Sequence, residues 1–84
     1  MTDPRFLRTG DVHFAMAHAA EEAGEMLAAL GKSLRWGLES VNPLLPPAEQ
    51  ETNREWLERE IGDLRGALDR LDAELAAYGQ ETPA

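Results

Sequence analysis

Residues 57–78 read LEREIGDLRGALDRLDAELAAY. Leu57, Ile61, Leu64, Leu68, Leu71, Leu75 and Tyr78 recur there at alternating steps of four and three. An α-helix completes a turn in 3.6 residues, so this spacing lays one apolar seam along a single helix, as in a bundle or coiled coil. Upstream, Thr52 and Glu55 stand at the separation of a capping box, although Pro47 offers an earlier start. Gly79 is a natural stop. The pattern predicts a helix over 53–78 and a short tail over 79–84. Gly62 and Gly66 each cost that helix about 1 kcal/mol relative to alanine. They sit one turn apart and off the seam, where the close approach of another helix would explain them.

A second helical pattern precedes this one. Asp11 follows Gly10 as an N-cap type residue. Val12, Met16, Ala19, Ala20, Ala23, Met26, Leu27, Leu30 and Leu34 then form an apolar stripe at helical period, and Gly37 is a natural C-terminal stop. This predicts an arm over 1–10, a helix over 11–36 and a connection over 37–52. Asn42-Pro43 and Pro46-Pro47 mark the connection as turn or extended chain. Its apolar residues Val41, Leu44 and Leu45 suit either a lid or packing on a neighbour. Period-two alternation is nowhere sustained. The expected fold is therefore all-α, one domain over 1–84 built as a two-helix antiparallel hairpin.

Each helix is roughly 40 Å long, and a lone hairpin leaves the outer side of both seams uncovered. With 84 residues and no cysteine, no disulfide compensates for a thin core. The expected remedy is a homodimer or homotetramer in which two hairpins pair as a four-helix bundle. The formal net charge of -8, from 16 acidic and 8 basic residues, repels a phosphate backbone and argues against a nucleic-acid partner. No apolar run is long enough for a bilayer, and the first ten residues lack a signal-peptide pattern, so a cytoplasmic protein away from membranes is expected.

The chemistry is carried by acids three residues apart on each helix: Glu22 and Glu25 on the first, Glu60 and Asp63 on the second. Such pairs share a helical face. Four gathered carboxylates repel one another unless cations sit among them, and hard oxygen ligands suit Mg²⁺, which keeps some waters and binds substrate phosphates. The bare spacing also occurs at Glu55–Glu58 and Asp69–Asp72, so context must decide. On a helical wheel, His18, Glu22, Glu25, Ala29, Lys32 and Trp36 form one stripe beside the apolar one. Trp56, Glu60, Asp63, Ala67, Arg70 and Glu74 form another. At a constant offset the two align as Glu22 with Glu60, Glu25 with Asp63, Ala29 with Ala67 and Lys32 with Arg70. Each runs acid, acid, small residue, base: metal ligands, room for a ligand, and a cation for phosphate. The alternative is a solvated helix face with ordinary surface cations.

Glu21-Glu22-Ala23-Gly24-Glu25 resembles the EExxE element of the MazG-like, all-α nucleoside triphosphate pyrophosphohydrolases, and Glu60-Ile61-Gly62-Asp63 resembles their ExxD element. The resemblance covers about Val12 to Leu71. It implies a Mg²⁺-dependent enzyme, with Mn²⁺ as a substitute, converting an NTP or dNTP to the monophosphate and pyrophosphate. It implies Glu22, Glu25, Glu60 and Asp63 as metal ligands, with Glu21 behind them or orienting a water. The residues offered for substrate are Lys32 and Arg70, with Arg35 and Arg54 behind them. Trp36 suits either base stacking or packing, and Trp56 reads as structural. His18, one turn before Glu22, is a neighbour of the site or a simple hydrogen-bonded partner of that glutamate. Two other readings stay open: a metal- or nucleotide-binding module with little or no turnover, and a dimeric helical adaptor.

Overall fold

The computed structural model describes residues 11–81; the arm over 1–10 and the end of the tail, 82–84, lie outside the described residues. Two helices make the fold: α1, Asp11–Trp36, and α2, Asn53–Glu81, with a single 3₁₀ turn, Pro47–Glu49, between them. They pack on each other as a hairpin 55 Å long. The described residues contain no strand beyond one isolated antiparallel bridge, Val41 to Thr52. Gly79 does not stop the second helix, which continues to Glu81.

Local chemistry sets the bends. Gly37 takes φ +94° and donates its N–H to Ser33 O at 2.9 Å, ending α1 in the left-handed conformation that glycine adopts without a Cβ penalty. Asn42 opens a turn in which its side-chain Oδ1 accepts from Leu44 N at 3.0 Å and its carbonyl from Leu45 N at 3.2 Å. Pro43 pre-sets the backbone at the second position of that turn. The connection then ties both helix ends together. Asn53 N donates to Ser40 O, Arg54 N donates to Leu38 O, and the Asn53 amide donates to Gly37 O, all at 2.9 Å.

The capping box at the start of α2 is present and reciprocal. Thr52 N donates to Glu55 Oε1 at 2.9 Å, and Glu55 N donates to Thr52 Oγ1 at 3.1 Å. These bonds from Thr52 favour the ionised carboxylate and hold the Glu55 pKa below its ordinary value. The contribution is present above about pH 4.5 and fades as pH falls through the lowered folded value. Thr52→Ala is expected to cost about 1 kcal/mol in urea unfolding at pH 7. The deficit should shrink at pH 3, and an unchanged midpoint at pH 7 would show the cap to be idle.

The line of contact between the helices follows the expected seams only in part. Among the described residues, Ala15, Ala19 and Ala29 of α1 and Ala67 of α2 are the buried apolar residues there, with Val12 at the open end and Glu60 the buried acid among them. The expected stripes are split: Met26, Leu57, Ile61, Leu64 and Leu71 are half-buried, whereas Met16, Leu27, Leu34, Leu68 and Leu75 stand to one flank and are all more than 40 % exposed. Small side chains at the contact let two helices approach closely. They also bury little apolar area, so the hydrophobic gain within one chain is small. Gly62 and Gly66 are not explained by α1, since a Cβ at either would meet nothing within 4 Å.

The two flanks of the hairpin have opposite character. On α1, helical geometry puts Glu25, Lys32 and Trp36 to one side of the contact line and Met16, Leu27 and Leu34 to the other. On α2 it puts Trp56, Asp63 and Arg70 to one side and Leu57, Ile61, Leu68 and Leu75 to the other. Lys32, Trp36 and Trp56 line one cleft, so the two polar flanks share a side and the two apolar flanks share the opposite one.

Candidate metal and ligand site

Midway along the hairpin, Glu22 and Glu25 of α1 meet Glu60 of α2. One carboxylate oxygen from each lies within 4.8 Å of the others. Glu60 occupies the contact line itself, and its side chain is only 4 % exposed. Glu22 is half-buried beside it, and Glu25 opens to solvent on the polar flank. A buried carboxylate is costly unless its oxygens are paired. Here Glu22 Oε2 and Glu60 Oε2 are both buried with no hydrogen-bond partner. Three acids and two orphaned oxygens at one point fit a hard divalent cation.

The charges act on one another. Repulsion from Glu22, then burial, then Glu60, raise the Glu25 pKa. A carboxyl raised in the folded state makes the native chain hold more protons than the unfolded one. That contribution to stability is fully present below about pH 4.5 and is lost as pH rises through the raised value. Glu25→Gln is therefore expected to raise the melting temperature of the metal-free chain near neutral pH and to flatten its fall above pH 4.5. A variant that melts lower than the parent would contradict the crowding of these acids.

Arg59 is the residue that the helical wheel overlooks. Its Nη1 donates to Glu60 Oε1 at 2.8 Å and its Nη2 donates to Glu51 Oε1 at 2.6 Å. The Glu51 bond first, then the charges of Glu51, Glu60 and Asp63, hold the guanidinium pKa above its usual value. Adjacency to Glu60 was the available signal, but a wheel puts neighbours about 100° apart and off the stripe. Asn53, which anchors the connection to α1, was likewise unmarked.

Beside the acids, toward the connection, lies a cleft of about 730 Å³. Lys32, Trp36, Asn53 and Trp56 form its helical walls, and Val41, Leu44, Leu45 and Glu51 its wall from the connection. The apolar residues of the connection thus face a cleft, and Leu44 is 90 % exposed. Trp56 is half-buried there, one turn before Glu60. Trp36 carries the Arg35 guanidinium 5.1 Å over its ring.

Other sequence candidates are distributed unevenly. Glu21 is exposed, yet close enough for its charge to add to the raised pKa of Glu25. His18 Nε2 lies 3.5 Å from Glu22 Oε1. Asp63 is exposed and outside the group of three carboxylates, though its charge reaches Arg59. Arg54 pairs with Glu58 at 3.3 Å on open surface. The constant-offset alignment of the two stripes does not survive the antiparallel course. From Glu22, Ala29 and Lys32 run toward the connection, whereas from Glu60, Ala67 and Arg70 run away from it. Ala29 and Ala67 are thereby about 20 Å apart at a rise of 1.5 Å per residue, and Arg70 is about 15 Å along α2 from Glu60. Lys32 lines the cleft near the connection, whereas Arg70 lies away from it.

Comparison with known proteins returned no match among protein-family models, curated proteins or solved structures. Among the described residues no helix is long and apolar enough to cross a membrane.

Proposed function

We propose that this chain is a Mg²⁺-dependent nucleoside triphosphate pyrophosphohydrolase of the MazG-like kind, acting as a homodimer. The observation that carries the reading is the buried Glu60, with one oxygen unpartnered, grouped with Glu22 and Glu25 beside a cleft walled by Lys32 and two tryptophans. The resemblance of the Glu21–Glu25 and Glu60–Asp63 segments to the family elements points the same way.

In this reading Glu22, Glu25 and Glu60 hold the cation, and Asp63, exposed one turn from Glu60 and outside that group, adds negative charge nearby. The ion supplies charge neutralisation at the phosphates and a water of lowered pKa. Lys32 faces the cleft and meets phosphate oxygens as a point charge. Trp36 and Trp56 present aromatic faces to the base, which suits any nucleobase. Glu21, exposed beside the acids, orients the attacking water. Water oxygen bonds to the α-phosphorus, the bond from that phosphorus to the bridging oxygen breaks, and pyrophosphate leaves. Such chemistry asks mainly for positioning and charge stabilisation.

The homodimer follows from the uncovered apolar flank. Leucines on both helices share it, and a second copy would cover it while leaving the polar flank open. The same flank supports the adaptor reading should the acids bind nothing.

The test is a panel of ribo- and deoxynucleoside triphosphates, incubated with Mg²⁺ or with chelator and resolved by chromatography. Monophosphate plus pyrophosphate, abolished by chelator, is the expected result. Diphosphate plus orthophosphate, or no product from any nucleotide, would overturn it.

A further inference from the structure

Arg59 bridges the carboxylate group and the rim of the cleft. One end of its guanidinium binds Glu60, the buried acid of the carboxylate group, and the other binds Glu51, which lines the cleft. The Arg59 side chain is about half exposed, with 53 % of its surface open, whereas that of Glu60 is 4 % exposed. The guanidinium thus reaches in from solvent to neutralise a charge the fold has buried. It satisfies only Oε1 of Glu60; Oε2, and Oε2 of Glu22, stay orphaned. A planar fork anchored at its other end on Glu51 neutralises the group from one side only.

We propose that Arg59 is a positioning residue that serves as the internal counter-ion of the carboxylate group, competing with a divalent cation for Glu60 and remaining tethered by Glu51 at the rim of the cleft. The inference rests on the proposed cation site. A dication near Glu60 repels the guanidinium, so the cation displaces Arg59 from Glu60 Oε1. Glu51 holds the other nitrogen and keeps the freed charge beside the cleft, where an anionic occupant meets it. Cation loading and anion binding are then coupled through one side chain, and by linkage each favours the other. Without the cation, Arg59 instead stabilises the fold by neutralising a buried acid.

Competition and simple support give opposite signs. A residue that merely shapes the site lowers cation affinity when lost. A competing charge raises it. At about 5 Å, even water-like screening makes one positive charge worth on the order of tenfold in the affinity of a dication. The test titrates Mn²⁺ into the full chain at pH 7.5, reading free Mn²⁺ by electron paramagnetic resonance, for the parent, Arg59→Ala, Arg59→Lys and Glu25→Gln. Thermal melting with and without Mn²⁺ checks that each variant folds. Arg59→Ala is expected to bind Mn²⁺ about tenfold tighter than the parent, to melt lower without the ion and to regain most of the difference with it. Arg59→Lys keeps the charge and should remain near the parent. Unchanged or weaker binding by Arg59→Ala, with the parent binding and Glu25→Gln defective, overturns the role of Arg59 and leaves the cation site standing. No binding by any of the four proteins overturns both.

Discussion

Glu60→Gln is expected to lower Mg²⁺-dependent turnover of the preferred nucleotide at least about a hundredfold, since even partners behind metal ligands cost 10–100-fold when lost. The substitution keeps volume and removes the charge. It also removes a buried anion whose second oxygen lacks a partner, so the fold should tolerate it. Arg59 would lose one of its two acids and keep Glu51. The combination of intact melting and lost turnover separates a ligand from a structural acid. Glu58→Gln, on the exposed surface beside Arg54, is the control and should leave turnover within twofold. If Glu60→Gln retained activity, the carboxylate group would not be the catalytic centre.

Leu27→Glu and Leu68→Glu are expected to break the dimer. Within one chain these leucines are 60 % and 45 % exposed, and surface substitutions of that kind usually change stability by no more than about 0.5 kcal/mol. In a paired bundle each would bury an uncompensated carboxylate at the interface, which costs several kcal/mol per ion. The two accounts therefore diverge sharply. Sedimentation should show the parent as a dimer at micromolar concentration, with a melting temperature that rises with concentration. Either variant should sediment as a monomer and melt much lower. A parent that is already monomeric would remove the homodimer from the proposed function. It would not touch the acids, which come from one chain.

The two helices and their capping box were legible in the sequence, because each depends on local period or on spacing within one helix; the grouping of Glu22 with Glu60 crosses the hairpin and was expected from the matching of the two stripes and the family resemblance rather than from period. The rotation of the helices about their axes was not. A leucine seam normally marks the buried face, but here Ala15, Ala19, Ala29 and Ala67 take the centre of the contact, Leu57, Leu64 and Leu71 are half-buried beside it, and Leu27, Leu34, Leu68 and Leu75 stand aside. Helical period marks an apolar stripe without fixing which edge of it faces the other helix, so the exposure of Leu27, Leu34, Leu68 and Leu75 was not readable from spacing. The register of the far stripes was misread for a simpler reason: an antiparallel hairpin sends equal offsets in opposite directions. Arg59 was missed because its partner Glu51 lies in the connection, where no period operates.

The central claim is that Glu22, Glu25 and Glu60 seat a divalent cation. The most direct test is a crystal grown in Mn²⁺, with data collected at the manganese edge. The account predicts one anomalous peak per chain, within bonding distance of a carboxylate oxygen from each of these three residues. No peak there at millimolar Mn²⁺, or a peak only at outer acids such as Asp69 and Asp72, would contradict it.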